Sequence, residues 1–421
     1  MIKDFLHTSL TRYLIILISF ISSVLIARNL GAEGKGYVVG ILIIPQLFAA
    51  YGSFSVNESF LFFIGKKEIS LKRLKSLLAW VLVVQCPLLV ILCYLYFVII
   101  GSSSEKASII IAVALIPLLL FLEILRFCQR GVFHIGKYNT GLLIESAVTL
   151  FFIGYSLFMD YGAFAIVVSY TAGYFFSLCF ILFNFPVPEV SNVSAVSVID
   201  LFSYGWKVHL FRILNVTEAK FDIFLISILL APGELGLYSV AVSLSQLYAL
   251  IVQRPVSTVI LPYFLKMDEK YLGELAARVT RIVIFGSFIL GVLLWGGGHK
   301  LLVLLYGNEF SAAYIPFAIL LLGTLIRTPT ATLNCYFKAC GRPETLAKIS
   351  SITAPINVCL CFAFIPMYGI VGAAIISAIT YAVFAGYLLF RFSRETQMNL
   401  FDCIVIKIDD FKKLRQLIQD R

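Results

Sequence analysis

Long apolar runs that do not alternate with polar residues dominate the hydrophobic pattern of this chain. Each run is about 20 residues or longer, which is the length that an α-helix needs to cross a bilayer. Strands of a membrane barrel would show shorter, alternating segments, so the pattern predicts an all-α integral membrane protein. Twelve spans are predicted near 9–28, 37–64, 76–100, 107–128, 138–159, 162–184, 203–230, 236–264, 279–298, 312–337, 345–366 and 369–391.

Composition and charge support this interpretation and orient the chain. Hydrophobic residues make up 60% of the sequence and charged residues only 13%, against roughly 25% charged residues in a soluble domain. Of the 33 Lys and Arg residues, 27 fall on the side of the predicted membrane that holds the N-terminus. The positive-inside rule therefore predicts that both termini are cytoplasmic. The net charge of +10 is then explained by this asymmetry and by attraction to anionic headgroups, and nucleic-acid binding is not expected.

The sequence offers no motif for catalysis, for a cofactor or for a metal. Its nine cysteines show no CxxC or Cys/His spacing, so they are interpreted as small apolar packing residues. The predicted external loops are short, and the longest covers about 298–311. A membrane-embedded glycan-assembly enzyme would need a larger external loop with acids or His for its chemistry. We therefore expect a protein that is not an enzyme, and the enzyme stays a less favoured alternative.

The chain repeats itself at an offset of about 200 residues. Leu30–Tyr37 closes the first predicted hairpin and Leu230–Tyr238 closes the seventh. Tyr161-Gly162-Ala163 recurs as Tyr368-Gly369-Ile370. Because each half contains six spans, the repeat predicts two six-helix bundles around a central cleft, related by an axis along the membrane normal.

This repeat divides the chain into four predicted segments. They are an N-terminal six-helix lobe at 1–184, a cytoplasmic linker at 185–202, a C-terminal six-helix lobe at 203–393 and a tail at 394–421. Apolar residues from Phe401 to Ile418 recur in the tail at helical spacing beside basic residues. The tail is therefore predicted to be a basic amphipathic helix on the inner leaflet. A partner-binding or disordered tail is the alternative.

The seventh span carries the densest charge within an apolar run. Four charged residues lie in its body: Arg212, Glu218, Lys220 and Asp222. Each charge near the bilayer centre costs about 2.5–3.5 kcal/mol on insertion scales unless it faces a partner or water. Helical spacing places Arg212, Glu218 and Asp222 on one face and separates the lysine from it. The pattern predicts a polar cavity beside this helix, with ion pairs that only hold helices together as the alternative.

Charged residues also fall within other predicted spans: Glu58, Glu123, Arg126, Glu145, Arg254 and Arg327. Glu123 and Arg126 are three residues apart, so they are predicted to pair on the surface of one helix. Arg254 and Arg327 could face the cavity or snorkel to the interface, and both alternatives stay open. Arg28 stands before the first external turn without a nearby acid, which favours a role in a cavity or an interface.

The segment Ala27–Tyr37 resembles the first hairpin of bacterial polysaccharide flippases, which export O-antigen and capsule repeat units. Further stretches that resemble this family are Lys220–Asp222 with Glu234–Ala241, Leu305–Phe310 and Ile365–Ala374. The resemblance covers essentially the whole chain, and the order and spacing of these stretches make it specific to the superfamily. Related lineages are the lipid II flippases and the multidrug and toxin extruders.

The resemblance implies a flippase that moves oligosaccharide on polyprenyl diphosphate from the cytoplasmic to the outer leaflet of a bacterial inner membrane by alternating access. It implies a role in O-antigen, capsule or exopolysaccharide synthesis, with membrane lipids, a polysaccharide polymerase and a chain-length regulator as partners. A cation-coupled extruder of small molecules is the alternative within the same superfamily. Such a pocket should be lined by acids and aromatic residues, whereas this chain offers at least as many cations as acids.

A diphosphate carried through the membrane requires cations, and the guanidinium group of Arg binds phosphate in a two-pronged geometry. The predicted substrate-binding residues are Arg212, Arg28, Lys220, Arg254 and Arg327. Similarity to cation-coupled relatives implies coupling to Na⁺ or H⁺. The competing candidates for that ion site are Asp222, Glu218, Glu58, Glu145 and Asn357.

Overall fold

The structure is a computed structural model that describes residues 2–66, 68–100, 106–185, 187, 196–265, 267–342, 344–407 and 410. Within those residues it contains helices and no strands. The helices are α1 Ile2–Gly52, α2 Val56–Gly65, α3 Leu71–Trp80, α4 Cys86–Ile100, α5 Lys106–Gly131, α6 Ile135–Phe158, α7 Gly162–Phe183, α8 Val198–Leu229, α9 Pro232–Phe264, α10 Glu269–Tyr306, α11 Tyr314–Arg327, α12 Pro329–Ala339, α13 Glu344–Thr396 and α14 Leu400–Ile404. A π-helical turn, Val81–Gln85, joins α3 to α4, and a 3₁₀ segment, Asn308–Ala313, precedes α11.

Two of these helices contain a glycine that leaves the helical conformation. Gly31 in α1 has φ 66° and Gly369 in α13 has φ 58°, in the left-handed region that glycine adopts without a steric penalty. Both glycines lie at or beside turns that the sequence predicts between spans. In the described part of the chain, eight helices are long and apolar enough to cross a membrane. Dividing the two kinked helices and adding α8 and α9 is consistent with twelve spans, and the all-α membrane fold is confirmed.

The second predicted span, 37–64, is interrupted between α1 and α2. Phe54 and Ser55 have φ values of 46° and 49°, so the chain leaves the helix there. Gln85, in the π-helical turn, donates from Nε2 to the carbonyl oxygen of Gly52 at 2.6 Å. This bond satisfies a carbonyl next to the break, as backbone at membrane depth requires.

The helices form two compact units. The first contains residues 1–227 and 231–236, and the second contains 228–230 and 237–421. The boundary of the compact units therefore lies later than the predicted linker at 185–202. The reason is the packing of α8 on the first unit. Leu201 is buried in a core with Val56 and Phe60, and Ser59 Oγ donates to the Leu201 carbonyl at 2.6 Å.

The first and seventh predicted hairpins pack backbone to backbone within the first unit. A Cβ atom at Gly36 would lie 1.6 Å from the carbonyl oxygen of Pro232. A Cβ atom at Gly236 would lie 1.9 Å from the carbonyl oxygen of Ala32. The two contacts are equivalent in the internal repeat, because an offset of 200 residues relates Gly36 to Gly236 and Ala32 to Pro232. Glycine at both positions is thus required by close approach.

In the second unit, the residues after α13 dock onto α10. Arg281 holds Asp410 through two hydrogen bonds, Nε to Oδ2 at 2.7 Å and Nη2 to Oδ1 at 2.6 Å. Cys403 of α14 is fully buried in a core with Leu272 and Phe392. In the described part of the predicted tail helix, the chain is helical over Leu400–Ile404 and extended at Val405. Residues 411–421 of that predicted helix lie outside the described residues.

Candidate functional site

The first unit contains a cluster of charged side chains contributed by different helices. Arg212 of α8 donates from Nη2 to Oε1 of Glu123 in α5 at 2.6 Å. Asn57 of α2 donates from Nδ2 to the same oxygen at 3.3 Å. The side chains of Arg212 and Glu123 are 19% and 32% exposed, so the pair is partly accessible. The ion pair seen for Arg212 is therefore with a neighbouring helix and not with the acids on its own helical face.

A second ion pair links Arg126 of α5 to Glu145 of α6. Arg126 also donates from Nη2 to Ser177 Oγ of α7 at 2.8 Å, and Ser177 donates to the Gly141 carbonyl at 2.8 Å. The predicted pair of Glu123 with Arg126 on one helix surface is therefore wrong. The two residues reach different neighbours, and Arg126 ties three helices together.

Lys220 differs from both arginines in the character of its partner. Its Nζ donates to Oε1 of Gln46 in α1 at 2.7 Å, which is a neutral amide. Glu123 is the carboxylate that interacts electrostatically with Lys220. Arg212, Glu123 and Arg130 in turn interact with half-buried Glu58. Glu123 is thus an acid that acts on both Arg212 and Lys220 of α8.

Two acids in the body of α8 are more deeply enclosed than Glu123. Glu218 and Asp222 are each 8% exposed. Oδ1 of Asp222 accepts a hydrogen bond from the backbone N–H of Ile223 at 2.7 Å. One helical turn earlier, the Tyr51 hydroxyl lies 2.9 Å from Thr217 Oγ1, and this contact joins α1 to α8. A polar strip therefore follows α8 from Arg212 to Asp222 inside the first unit.

The other predicted site residues lie elsewhere. Arg28 is exposed in α1, just before the Gly31 kink. The guanidinium of Arg327 lies over the rings of Tyr381 and Phe384, 4.5 and 5.5 Å from their centroids. The side chain of Arg254 lies outside the described part of the structure.

Asn357 of α13, also in the second unit, bonds to a hydroxyl of the same helix. Its Nδ2 donates to Thr380 Oγ1 at 3.3 Å, and Cys361 Sγ lies 3.7 Å from its Oδ1. Arg28, Arg212, Lys220, Glu58, Glu145, Glu218 and Asp222 thus belong to the first unit, whereas Arg327 and Asn357 belong to the second.

Sequence reasoning missed three members of the cluster, namely Gln46, Asn57 and the role of Glu123. For Gln46 and Asn57, the signal in the sequence was an amide side chain within an apolar run, because a buried amide needs a hydrogen-bond partner. Among the described residues, no group of three or more His, Cys, Asp or Glu side chains is arranged to hold a metal ion. The charged groups that the cluster presents are the guanidinium of Arg212, the ammonium of Lys220 and the carboxylate of Glu123.

The chain has relatives among known families and proteins. Residues 25–315, more than half of the chain, match the family described as "Polysaccharide biosynthesis protein". The chain is 25% identical over 208 residues to the probable low-salt glycan biosynthesis flippase Agl15 of Haloferax volcanii, covering 48% of this chain and 39% of that protein. It is 24% identical over 205 residues to the probable flippase AglR of the same organism, covering 46% and 41%. The aligned region thus spans about two fifths of the length of these relatives.

The fold was compared with solved structures. The lipid II flippase MurJ in an inward closed conformation superposes with a TM-score of 0.75 at 16% identity, covering 94% of this chain and 88% of that one. A multidrug resistance MATE family transporter in an inward-facing conformation gives 0.66 at 12% identity, covering 91% and 94%. These similarities establish a shared helical membrane fold over nearly the whole chain.

Proposed function

Because the chain belongs to the polysaccharide biosynthesis protein family, we propose that it is a flippase for oligosaccharide linked to polyprenyl diphosphate. It moves this cargo from the cytoplasmic to the outer leaflet by alternating access and is not an enzyme. The cargo serves O-antigen, capsule or exopolysaccharide synthesis in a bacterial inner membrane, with both termini cytoplasmic. A polysaccharide polymerase and a chain-length regulator then act on the delivered units.

The observation that carries this proposal is the partly accessible cation pair of α8. Arg212 and Lys220 lie within a long apolar helix, where an unpaired charge would be costly. Their partners in the described structure are one carboxylate, Glu123, and one neutral amide, Gln46. A diphosphate head group carries negative charge that hydrocarbon rejects, and a wet site with Arg and Lys supplies the compensating charge. This arrangement favours an anionic lipid head over a cationic small molecule.

Roles follow from the contacts of each side chain. Arg212 is assigned the diphosphate through its guanidinium, and Lys220 supports it as a point charge. Arg28 and Arg254 are further candidates along the path of the cargo, whereas Arg327, which lies over Tyr381 and Phe384, is assigned a packing role. Asp222 and Glu218 are the preferred acids for coupling to Na⁺ or H⁺, because both are nearly enclosed beside the cations.

The other acids and amides fit the coupling role less well. Glu145 is occupied by Arg126. Asn357 offers an amide beside a hydroxyl, which suits an ion only together with charged ligands. Glu58 interacts with the arginines that surround it. We therefore rank Glu58, Glu145 and Asn357 behind the acids of α8.

A deletion strain tests the function directly. Lipid-linked oligosaccharide should accumulate in the cytoplasmic leaflet, and a membrane-impermeant glycan-modifying reagent should fail to reach it from outside. The intact gene should restore access from outside. Unchanged leaflet distribution together with increased sensitivity to cationic drugs would establish the small-molecule extruder instead.

A further inference from the structure

We propose that Glu123 is an exchangeable counter-ion of the α8 cations: it holds Arg212 while no cargo is bound, and the diphosphate displaces it. This inference rests on the proposed function and assigns a residue to the regulation of the same site. The geometry of the contact between Glu123 and Arg212 in the first unit supports this role.

The contact between Glu123 and Arg212 uses one nitrogen and one oxygen. Nη2 donates to Oε1 at 2.6 Å, and this is the contact that the structure gives Arg212 among the described residues. A guanidinium presents five N–H donors in a planar fork and can bind two oxygens at once. The single-pronged pair therefore leaves an edge of Arg212 available to an incoming phosphate oxygen.

The chain also contains the two-pronged form of the same interaction. Arg281 binds both carboxylate oxygens of Asp410 at 2.7 and 2.6 Å. The side chains of that pair are 7% and 3% exposed, against 19% and 32% for Arg212 and Glu123. The Arg281 pair, which fastens the segment after α13, is thus buried and two-pronged, whereas the Arg126–Glu145 pair is single-pronged with side chains 14% and 23% exposed. The Glu123 pair is single-pronged and accessible, which suits an interaction that must open.

The surroundings of Glu123 favour exchange over permanent pairing. Asn57 donates to the same Oε1 atom at 3.3 Å, so the carboxylate keeps one neutral partner when Arg212 leaves. Glu123 also acts electrostatically on Lys220. Displacing the Glu123 carboxylate therefore exposes Arg212 and Lys220 to the incoming diphosphate. The diphosphate carries more negative charge than the carboxylate that it replaces.

Exchange has a functional consequence for a transporter. Cations without a counter-charge would be costly in an apolar helix, and they would hold a diphosphate too tightly for release. A carboxylate that competes for Arg212 lowers the free-energy cost of the cations in the apolar helix, and it also weakens binding of the diphosphate enough for release. Removing its charge should therefore tighten binding of the anionic head and slow its release.

The test uses the purified full chain and farnesyl diphosphate, a soluble prenyl diphosphate, as the probe. Glu123→Gln should lower the Kd for farnesyl diphosphate about tenfold, since one charge-assisted hydrogen bond no longer competes. The same change in an Arg212→Ala background should lower the Kd by a clearly smaller factor, because only Lys220 then responds to the loss of the Glu123 charge. Farnesol, which lacks the phosphates, should show no difference between wild type and Glu123→Gln.

The matched control is Glu274→Gln, which breaks an exposed pair with Arg278 in the second unit and should leave the Kd as in wild type. Glu123→Asp, one methylene shorter, is the second variant should Glu123→Gln not fold, and it should tighten binding by a smaller factor. Wild type that binds farnesyl diphosphate while Glu123→Gln and Glu123→Asp bind no tighter would overturn the exchange alone. Wild type that neither binds the probe nor moves lipid-linked oligosaccharide would overturn the proposed function with it.

Discussion

In the first unit, Arg126 and Arg212 pair with carboxylates of other helices inside the apolar body, whereas the ion pairs described in the second unit involve the first part of α10, the end of α13 and the segment after it. Arg212 pairs with Glu123 between α8 and α5. In α13, Asn357 instead bonds to the Thr380 hydroxyl, and Arg327 rests on aromatic rings. The buried pair of Arg281 with Asp410 fastens the segment after α13 and does not lie between two long helices.

The difference shows in which unit charged side chains are retained within apolar helices, although burying them costs free energy. Hydroxyl and amide contacts hold helices together at low cost in hydrocarbon, so ion pairs are not needed for packing alone. Charged residues inside membrane helices typically face a cavity or a partner and serve function. The proposed function accordingly assigns recognition of an anionic cargo to the first unit, and the predictions below test that assignment.

Arg212→Ala should have the largest effect. Export of lipid-linked oligosaccharide should fall at least tenfold, with protein abundance nearly unchanged, because the diphosphate loses a charge-assisted contact. Arg212→Lys should restore part of it, since an ammonium keeps the charge and loses the fork geometry. Export and abundance are measured together in cells. Recovery of export in the double variant Arg212→Ala with Glu123→Gln would show that Arg212 only neutralises Glu123.

Arg281→Ala should have the largest effect on the stability of the second unit. Its removal strands Asp410 and should cost about 3 kcal/mol, the lower end for a buried pair. The melting temperature of the purified protein measures this. Arg278→Ala is the matched control, because Arg278 lies 3.6 Å from Asp410 and should cost less.

The same pair predicts a pH dependence. Hydrogen bonds from Arg281 hold the pKa of Asp410 below its usual value. Because this pKa is lower in the folded than in the unfolded protein, the ionised carboxylate stabilises the fold fully at pH values above the ordinary carboxyl pKa of about 3.9. This stabilisation is lost as the pH falls through the pKa of the folded protein. Acidification should therefore lower the melting temperature of wild type more than that of Arg281→Ala. Equal slopes for the two proteins would contradict the assignment.

Gly36→Ala should destabilise the hairpin contact of the first unit by about 1–3 kcal/mol, since the new methyl group must displace the Pro232 backbone. Gly236→Ala should act alike through Ala32. Gly154→Ala is the matched control, because a Cβ atom there meets no atom within 4 Å. Thermal melting compares all three, and a control as unstable as Gly36→Ala would mean that close approach is not the cause.

Arg327→Ala should have the smallest effect on export. Its contacts to Tyr381 and Phe384 are cation–π interactions, each worth about 0.5–2 kcal/mol. Stability should fall slightly and export should stay within about threefold of wild type. The export assay described for Arg212 measures this, and a loss as large as that of Arg212→Ala would remove the distinction between the two units.

The fold was predictable from the sequence because apolar run length alone specifies helices in a bilayer. The turns at Gly31 and Gly369 also coincided with predicted span ends. The break at Phe54 and Ser55 was not predictable, since Gln85, from a distant turn, satisfies the Gly52 carbonyl beside it.

The candidate site was predictable only in part. Helical spacing indicates which residues share a face, so it grouped Arg212 with Glu218 and Asp222. The acid that pairs with Arg212 is Glu123, which comes from another helix, 89 residues away in the chain. Contacts of that kind depend on helix packing, which spacing within one helix does not specify.

The most direct test of the account measures flipping in proteoliposomes that contain the full chain and a polyprenyl-diphosphate oligosaccharide. An impermeant glycan-modifying reagent reports the fraction of cargo that reaches the outer leaflet with time. The account predicts rapid flipping by wild type and by Arg327→Ala, and loss of flipping by Arg212→Ala. Flipping by Arg212→Ala at the wild-type rate, with Arg327→Ala inactive, would contradict it.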